Sequence, residues 1–199
     1  MDQIIEKYFN ELNNNGITKK DTDIIKFDAM GDDDIKKYFP FGNSRIILVS
    51  DLSKYKTIEK LLPTDKSHIF LLYQNSPNMG HWVLLSRYGN TIEYFDSYGG
   101  YIDHPYTWTD LKTRKMLGEG VPYLTILLKD TPYDVIWNGF DFQDKKNMKI
   151  STCGRHCVFR LKTILNNNLG LNDYIKMMKK LKIKSKLSYD EIVSDFINK

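Results

Sequence analysis

Residues 2–14 space Ile4, Ile5, Tyr8, Phe9 and Leu12 three and four apart, which predicts one apolar helical face. Asn-rich positions and Gly16 then stop the run. Thr18 to about Ala29 repeats the pattern more weakly, as a helical or irregular segment. The rhythm changes at Arg45 to Val49, an unbroken apolar stretch that predicts a buried strand. Thr57 to Leu62 reads as a short helix ended by Pro63, and Ile69 to Tyr73 as a central strand. His81 to Tyr88 and Thr91 to Ser97 flank Gly89-Asn90, a two-residue hairpin turn. Residues 101–118 form a loop and a short helix, Pro122 to Lys129 fits helix or strand, and Val135 to Trp137 is a further strand. Helical spacing returns from Cys153 to Asn166, with Cys157, Val158, Leu161, Ile164 and Leu165 inward and Asn167, Asn168 and Gly170 closing it. Amphipathic helices at 171–182 and 187–198 follow, the second opening with Ser188 and Glu191 as a capping box. Helices at both ends around a largely antiparallel sheet predict an α+β domain.

The hairpin has consequences for chemistry. With Gly89-Asn90 as the turn, Tyr88 faces Thr91 and His81 faces Tyr98. Asp96 then projects from the same sheet face as His81, as its diagonal neighbour, within reach of the imidazole. A carboxylate there would fix the ring tautomer and stabilise an imidazolium. Trp82, next along the strand, points to the opposite face and is expected to fill core, with walling of the site as its alternative role.

Cys153 stands at a predicted helix start, capped by Thr152 or Ser151, with Gly154 leaving the backbone open beside the sulfur. Uncompensated N–H groups at such a position favour thiolate and can serve an oxyanion. Cys157 lies one turn deeper on the apolar stripe and reads as core. His68 precedes a strand and His104 sits in a Pro-containing loop; His156 is one turn from Cys153 but has no sequence neighbour to orient it.

Length and composition narrow the classes. The chain of 199 residues fits a single domain, 1–199, and its net charge of +4 is spread thinly enough to mean solubility. Two cysteines four apart cannot frame disulfides, which points to a reducing compartment. Met1-Asp2-Gln3 opens no secretory leader, and no apolar run is long enough to span a bilayer. Cys153, His156 and Cys157 fall short of the four ligands of a structural zinc site, so neither metal nor cofactor is expected.

Gly80-His81-Trp82, Phe95-Asp96-Ser97-Tyr98-Gly99, Gln143 and Thr152-Cys153-Gly154-Arg155-His156 together resemble the adenain-like cysteine proteases. That group joins the adenoviral maturation protease to the SUMO-specific proteases. With Gly31-Asp32 and Ser50-Asp51-Leu52 upstream, the resemblance is closest to the proteases of virophages, polinton-type elements and large DNA viruses. It covers about 30–165 and leaves 171–199 as a helical extension. It implies a papain-like, adenain-like fold with Cys153 as nucleophile, His81 as general base and acid, and Asp96 as orienting carboxylate. It also implies a Gln amide in the oxyanion hole, usually six or seven residues before the Cys. Gln143 lies ten before, while Asn147 holds the usual spacing; Gln143 is preferred, with Asp144 to Met148 as an insertion.

The activity so implied is an endopeptidase that cuts capsid or precursor proteins at small-residue, Gly-containing sites during virion maturation. It would work in the virion and the infected host cytoplasm. Processing of a ubiquitin-like modifier is the alternative, and an inactive capsid-peptide binder a third reading. DNA and an activating peptide are the further partners that the resemblance suggests; Lys19, Lys20, Lys176, Lys179, Lys180, Lys182 and Lys184 could provide a weak DNA surface, although a Lys-rich helix face more often serves only solvation.

Overall fold

In the computed structural model, which describes residues 1–39, 44–147 and 149–198, the strand pattern is realised within one contiguous unit, Phe39–Gly139. Its strands β1 (Ser44–Leu48), β2 (His68–Ser76), β3 (Met79–Tyr88), β4 (Thr91–Phe95) and β5 (Asp134–Trp137) lie side by side in chain order. The centre, β2 to β4, is antiparallel, whereas β1 and β5 join as parallel edges. Parallel neighbours need a crossover, and helices supply it. A 3-10 turn (Val49–Lys54) and α4 (Ile58–Leu61) link β1 to β2. A second 3-10 turn (His104–Trp108), α5 (Leu111–Met116) and α6 (Tyr123–Lys129) link β4 to β5. The segment from Pro122 to Lys129 is therefore helical.

Leu71, Tyr73, Val83, Leu85, Ile92 and Tyr94 share one core cluster with Leu52, Leu61 and Leu124, so one sheet face is sealed by this unit's own helices. β1 departs from the buried strand expected of it: only Ile47 of its five residues is buried, because an edge strand has one neighbour.

The helical unit is assembled from both sides of the sheet unit, Met1–Tyr38 with Phe140–Lys199. It contains α1 (Asp2–Asn14), α2 (Lys19–Ile25), α3 (Asp32–Tyr38), α7 (Cys153–Asn167), α8 (Leu171–Ser185) and α9 (Tyr189–Phe196). α7 is buried continuously from Gly154 to Leu161, wider than the expected stripe, while Leu165 is exposed. Arg155 and Arg160 enter this interior because main-chain carbonyls receive their guanidinium N–H groups. Asn168 closes α7 in the left-handed region, and Ser188 with Glu191 forms the expected capping box on α9. Among the described residues no helix is long and apolar enough to cross a membrane.

Candidate active site

Register decides the first half of the site. Tyr88 pairs with Thr91 and Leu84 with Phe95, as the two-residue turn predicts, and Gly89 takes the left-handed backbone (φ 55°). Beyond Phe95 the ladder stops. Asn138, just past β5, bonds both backbone groups of Asp96: the Asp96 N–H donates to Asn138 Oδ1 at 2.9 Å, and Asn138 Nδ2 donates to Asp96 O at 2.7 Å. The chain then turns, with Gly99 N–H donating to Asp96 O (2.8 Å) and Gly99 at φ 68°.

This turn aims the carboxylate. Asp96 Oδ1 lies 2.7 Å from His81 Nε2 and accepts the Tyr98 N–H at 2.8 Å. Asp96 is wholly buried and His81 nearly so. The Tyr98 ring stacks on the His81 ring, centroids 5.0 Å apart, and Trp108 packs edge-on against it at 5.1 Å. The imidazole is thus held by one carboxylate and two aromatic walls. Trp82 is buried, as expected of a core residue.

Gly100 is required by this packing. A Cβ there would fall 2.7 Å from both Asp96 Oδ2 and His104 Nδ1, two buried polar atoms that converge on the glycine. Tyr98, Trp108, Asn138 and His104 were not assigned to the site by sequence. The register already placed Tyr98 opposite His81, but Trp108 and Asn138 arrive by chain reversals that no local pattern encodes.

The second half lies in the helical unit. Cys153 is the first residue of α7 and is half-buried, while Cys157 is fully buried as core. Neither is in a disulfide. Thr152 occupies the N-cap position without making the expected side-chain cap; its hydroxyl donates instead to Asp190 Oδ1 at 2.5 Å. The same oxygen lies 3.1 Å from His156 Nε2, so His156 does have an orienting carboxylate, supplied from α9. Burial pushes the Asp190 carboxyl up, but the His156, Thr152 and Asp144 hydrogen bonds outweigh this and hold it below the usual range. Arg155, two residues after the thiol, donates Nε to Ile197 O at 2.9 Å and bonds Asp28 O as well.

Gln143 is buried, and its side-chain amide donates to Ile150 O at 2.9 Å. This bond closes the neck of the loop that follows, leaving Asp144 and Asn147 outside it. Asn147 is half-exposed and accepts the Lys149 N–H at 3.2 Å. Met148, the far end of the expected insertion, lies outside the described residues. The four expected site residues therefore fall as one contacting pair, His81 with Asp96, and two residues of the helical unit, Cys153 and Gln143. Among the described residues no cluster of side chains could hold a metal ion.

No family model matches the chain. Protein V9 of Sputnik virophage is 36% identical over 154 residues, covering 77% of this chain and 85% of that protein. Among solved structures, the ASFV pS273R protease is similar with a TM-score of 0.48 at 13% identity, over 87% of this chain and 69% of that one. SUMO protease Ulp1, with its catalytic cysteine oxidised to a sulfinic acid, is similar with a TM-score of 0.41 at 18% identity, over 98% and 92% of the two chains.

Proposed function

The chain belongs to the family of Sputnik virophage protein V9, and on that premise we propose that it is a cysteine endopeptidase of viral capsid or precursor proteins, cutting at small-residue, Gly-containing sites. The observation that carries this reading is the buried His81–Asp96 contact, formed where the hairpin register predicts it. With Nε2 turned to Asp96, the basic nitrogen of His81 is Nδ1. In the proposed cycle Nδ1 takes the Cys153 proton, and the thiolate attacks the scissile carbonyl carbon. The tetrahedral oxyanion collapses to a thioester as His81 returns the proton to the leaving amine. Water, deprotonated by the same imidazole, then releases the acid and restores the thiol. Gln143 and the first N–H groups of α7 are the oxyanion donors in this scheme.

The test is incubation of the purified protein with the capsid and precursor proteins of its own genome, beside a ubiquitin-like precursor. Discrete cleavage of the former, blocked by a peptide vinyl sulfone bound to Cys153, is the expected result. Cleavage of the modifier precursor alone would move the substrate class. No turnover and no labelling of Cys153 would leave a peptide-binding protein. DNA stays a secondary partner in this proposal: Lys176, Lys180 and Lys184 already contact Asp173, Asp2 and Glu6, which thins the basic surface available.

The oxyanion donor has its own test. Gln143→Ala should lower kcat by about a hundredfold or more with little change in KM, since a fixed donor acts on charge formed during reaction. Asn147→Ala should do little, because Asn147 lies on the loop outside the Gln143–Ile150 neck. The reverse result, with both variants folded, would transfer the role to Asn147.

A further inference from the structure

Asp190 lies on α9, in the stretch where the sequence showed no catalytic pattern. Its carboxylate is buried, and it gathers three donors from one short region. Oδ1 accepts the Thr152 hydroxyl at 2.5 Å and lies 3.1 Å from His156 Nε2; Oδ2 accepts the Asp144 N–H at 3.0 Å. Thr152 immediately precedes Cys153, His156 follows it by three residues, and Asp144 immediately follows Gln143. One carboxylate therefore clamps the chain on both sides of Cys153 and directly beside Gln143. A helix cap would have needed only a local side chain. Here the Thr152 hydroxyl is diverted from capping to this clamp, and the backbone at Thr152 is bent away from the extended cap geometry (φ −98°, ψ 3°).

We propose that Asp190 is a positioning residue for Cys153, fixing the start of α7 and the Gln143 loop through its bonds to Thr152, His156 and Asp144. The inference rests on the cysteine-protease reading and adds to it a residue that touches neither substrate nor thiol. A thiolate at a helix start gains from aligned N–H groups only while that first turn is held. Loss of the clamp frays the turn and loses part of that stabilisation. Ionised Asp190 suits the role, because a carboxylate is acceptor-only and its two oxygens meet all three contacts without a competing O–H donor.

The experiment needs no substrate. Alkylation of Cys153 by iodoacetamide is followed across pH in the whole protein, with Cys153→Ser as the blank and a short unstructured cysteine peptide as the reference. Wild type should react faster than the peptide at neutral pH. Asp190→Asn and Asp190→Ala should slow alkylation about tenfold at neutral pH and move its midpoint upward. Thr152→Val, which removes the hydroxyl at nearly constant shape, should act in the same direction, and Thr152→Ser should restore the wild-type profile. A purely structural Asp190 would lower the melting temperature and leave the midpoint in place. Folded Asp190 variants with the wild-type profile would overturn the proposal. Should those variants fail to fold, Thr152→Val and Thr152→Ser decide: identical wild-type profiles in both would overturn it equally. A wild type no faster than the peptide would instead sink the nucleophile reading itself.

Discussion

Cys153→Ala should abolish cleavage while leaving the protein folded. The side chain is half-buried at the first position of α7, so its truncation removes few packing contacts. What remains without a nucleophile is binding and oxyanion stabilisation, worth about 10³–10⁴ over water, far below detection for a peptide bond. Cys157, one turn on, gives the control. It is fully buried in the interior of the helical unit, and Cys157→Ala should keep turnover while costing about 1 kcal/mol of stability. Turnover assays with the capsid substrates, alongside thermal melts, separate the two. Equal loss of activity in both, without unfolding, would mean that the cysteines act as a pair, and the single-nucleophile mechanism would fall.

Asp96→Asn should lower kcat by orders of magnitude, toward the roughly 10⁴-fold loss that this exchange causes in a Ser–His–Asp triad. The fold should survive, because Asn138 holds the backbone of residue 96 and an amide oxygen can still receive the Tyr98 N–H. What is lost is the negative charge beside His81 Nε2. The imidazolium formed when Cys153 gives up its proton then goes uncompensated in a buried site, where charge is costly. An amide turned the other way would also present its N–H groups to Nε2 and favour the wrong tautomer. Steady-state kinetics should show the loss in kcat with KM little changed. Turnover near wild type would separate Asp96 from the chemistry and leave its contact with His81 as packing.

The parts of the site that could be read from the sequence are those set by local rules. A two-residue turn fixes hairpin register, and extending that register past Phe95, where the ladder itself ends, anticipates His81 and Asp96 on one face. Helix periodicity likewise located α7 and put Cys153 at its start. Long-range returns were not legible. Trp108 comes back from a 3-10 turn to wall His81, and Asn138 substitutes for the missing ladder at Asp96. Asp190 reaches His156 across 34 residues. The edge role of β1 and the burial of Arg155 were hidden for a related reason: both depend on what packs around them, which pattern and propensity do not record.

The route of the chain through its two units has a consequence in time. Residues 39–139 are contiguous in the chain, whereas the helical unit draws on segments from both sides of them. At about 5–20 residues per second, α1 is translated roughly ten seconds or more before its partner α8 exists. A helix of that length is marginal on its own, so Ile5, Tyr8 and Leu12 wait exposed on the nascent chain. Arg155 binds Asp28 on the early segment and Ile197 on the late one, and Asp190 also comes from the late one. Arg155 therefore leaves the ribosome with its early acceptor, Asp28, already made, while Ile197 and Asp190, which hold the start of α7, are still to come.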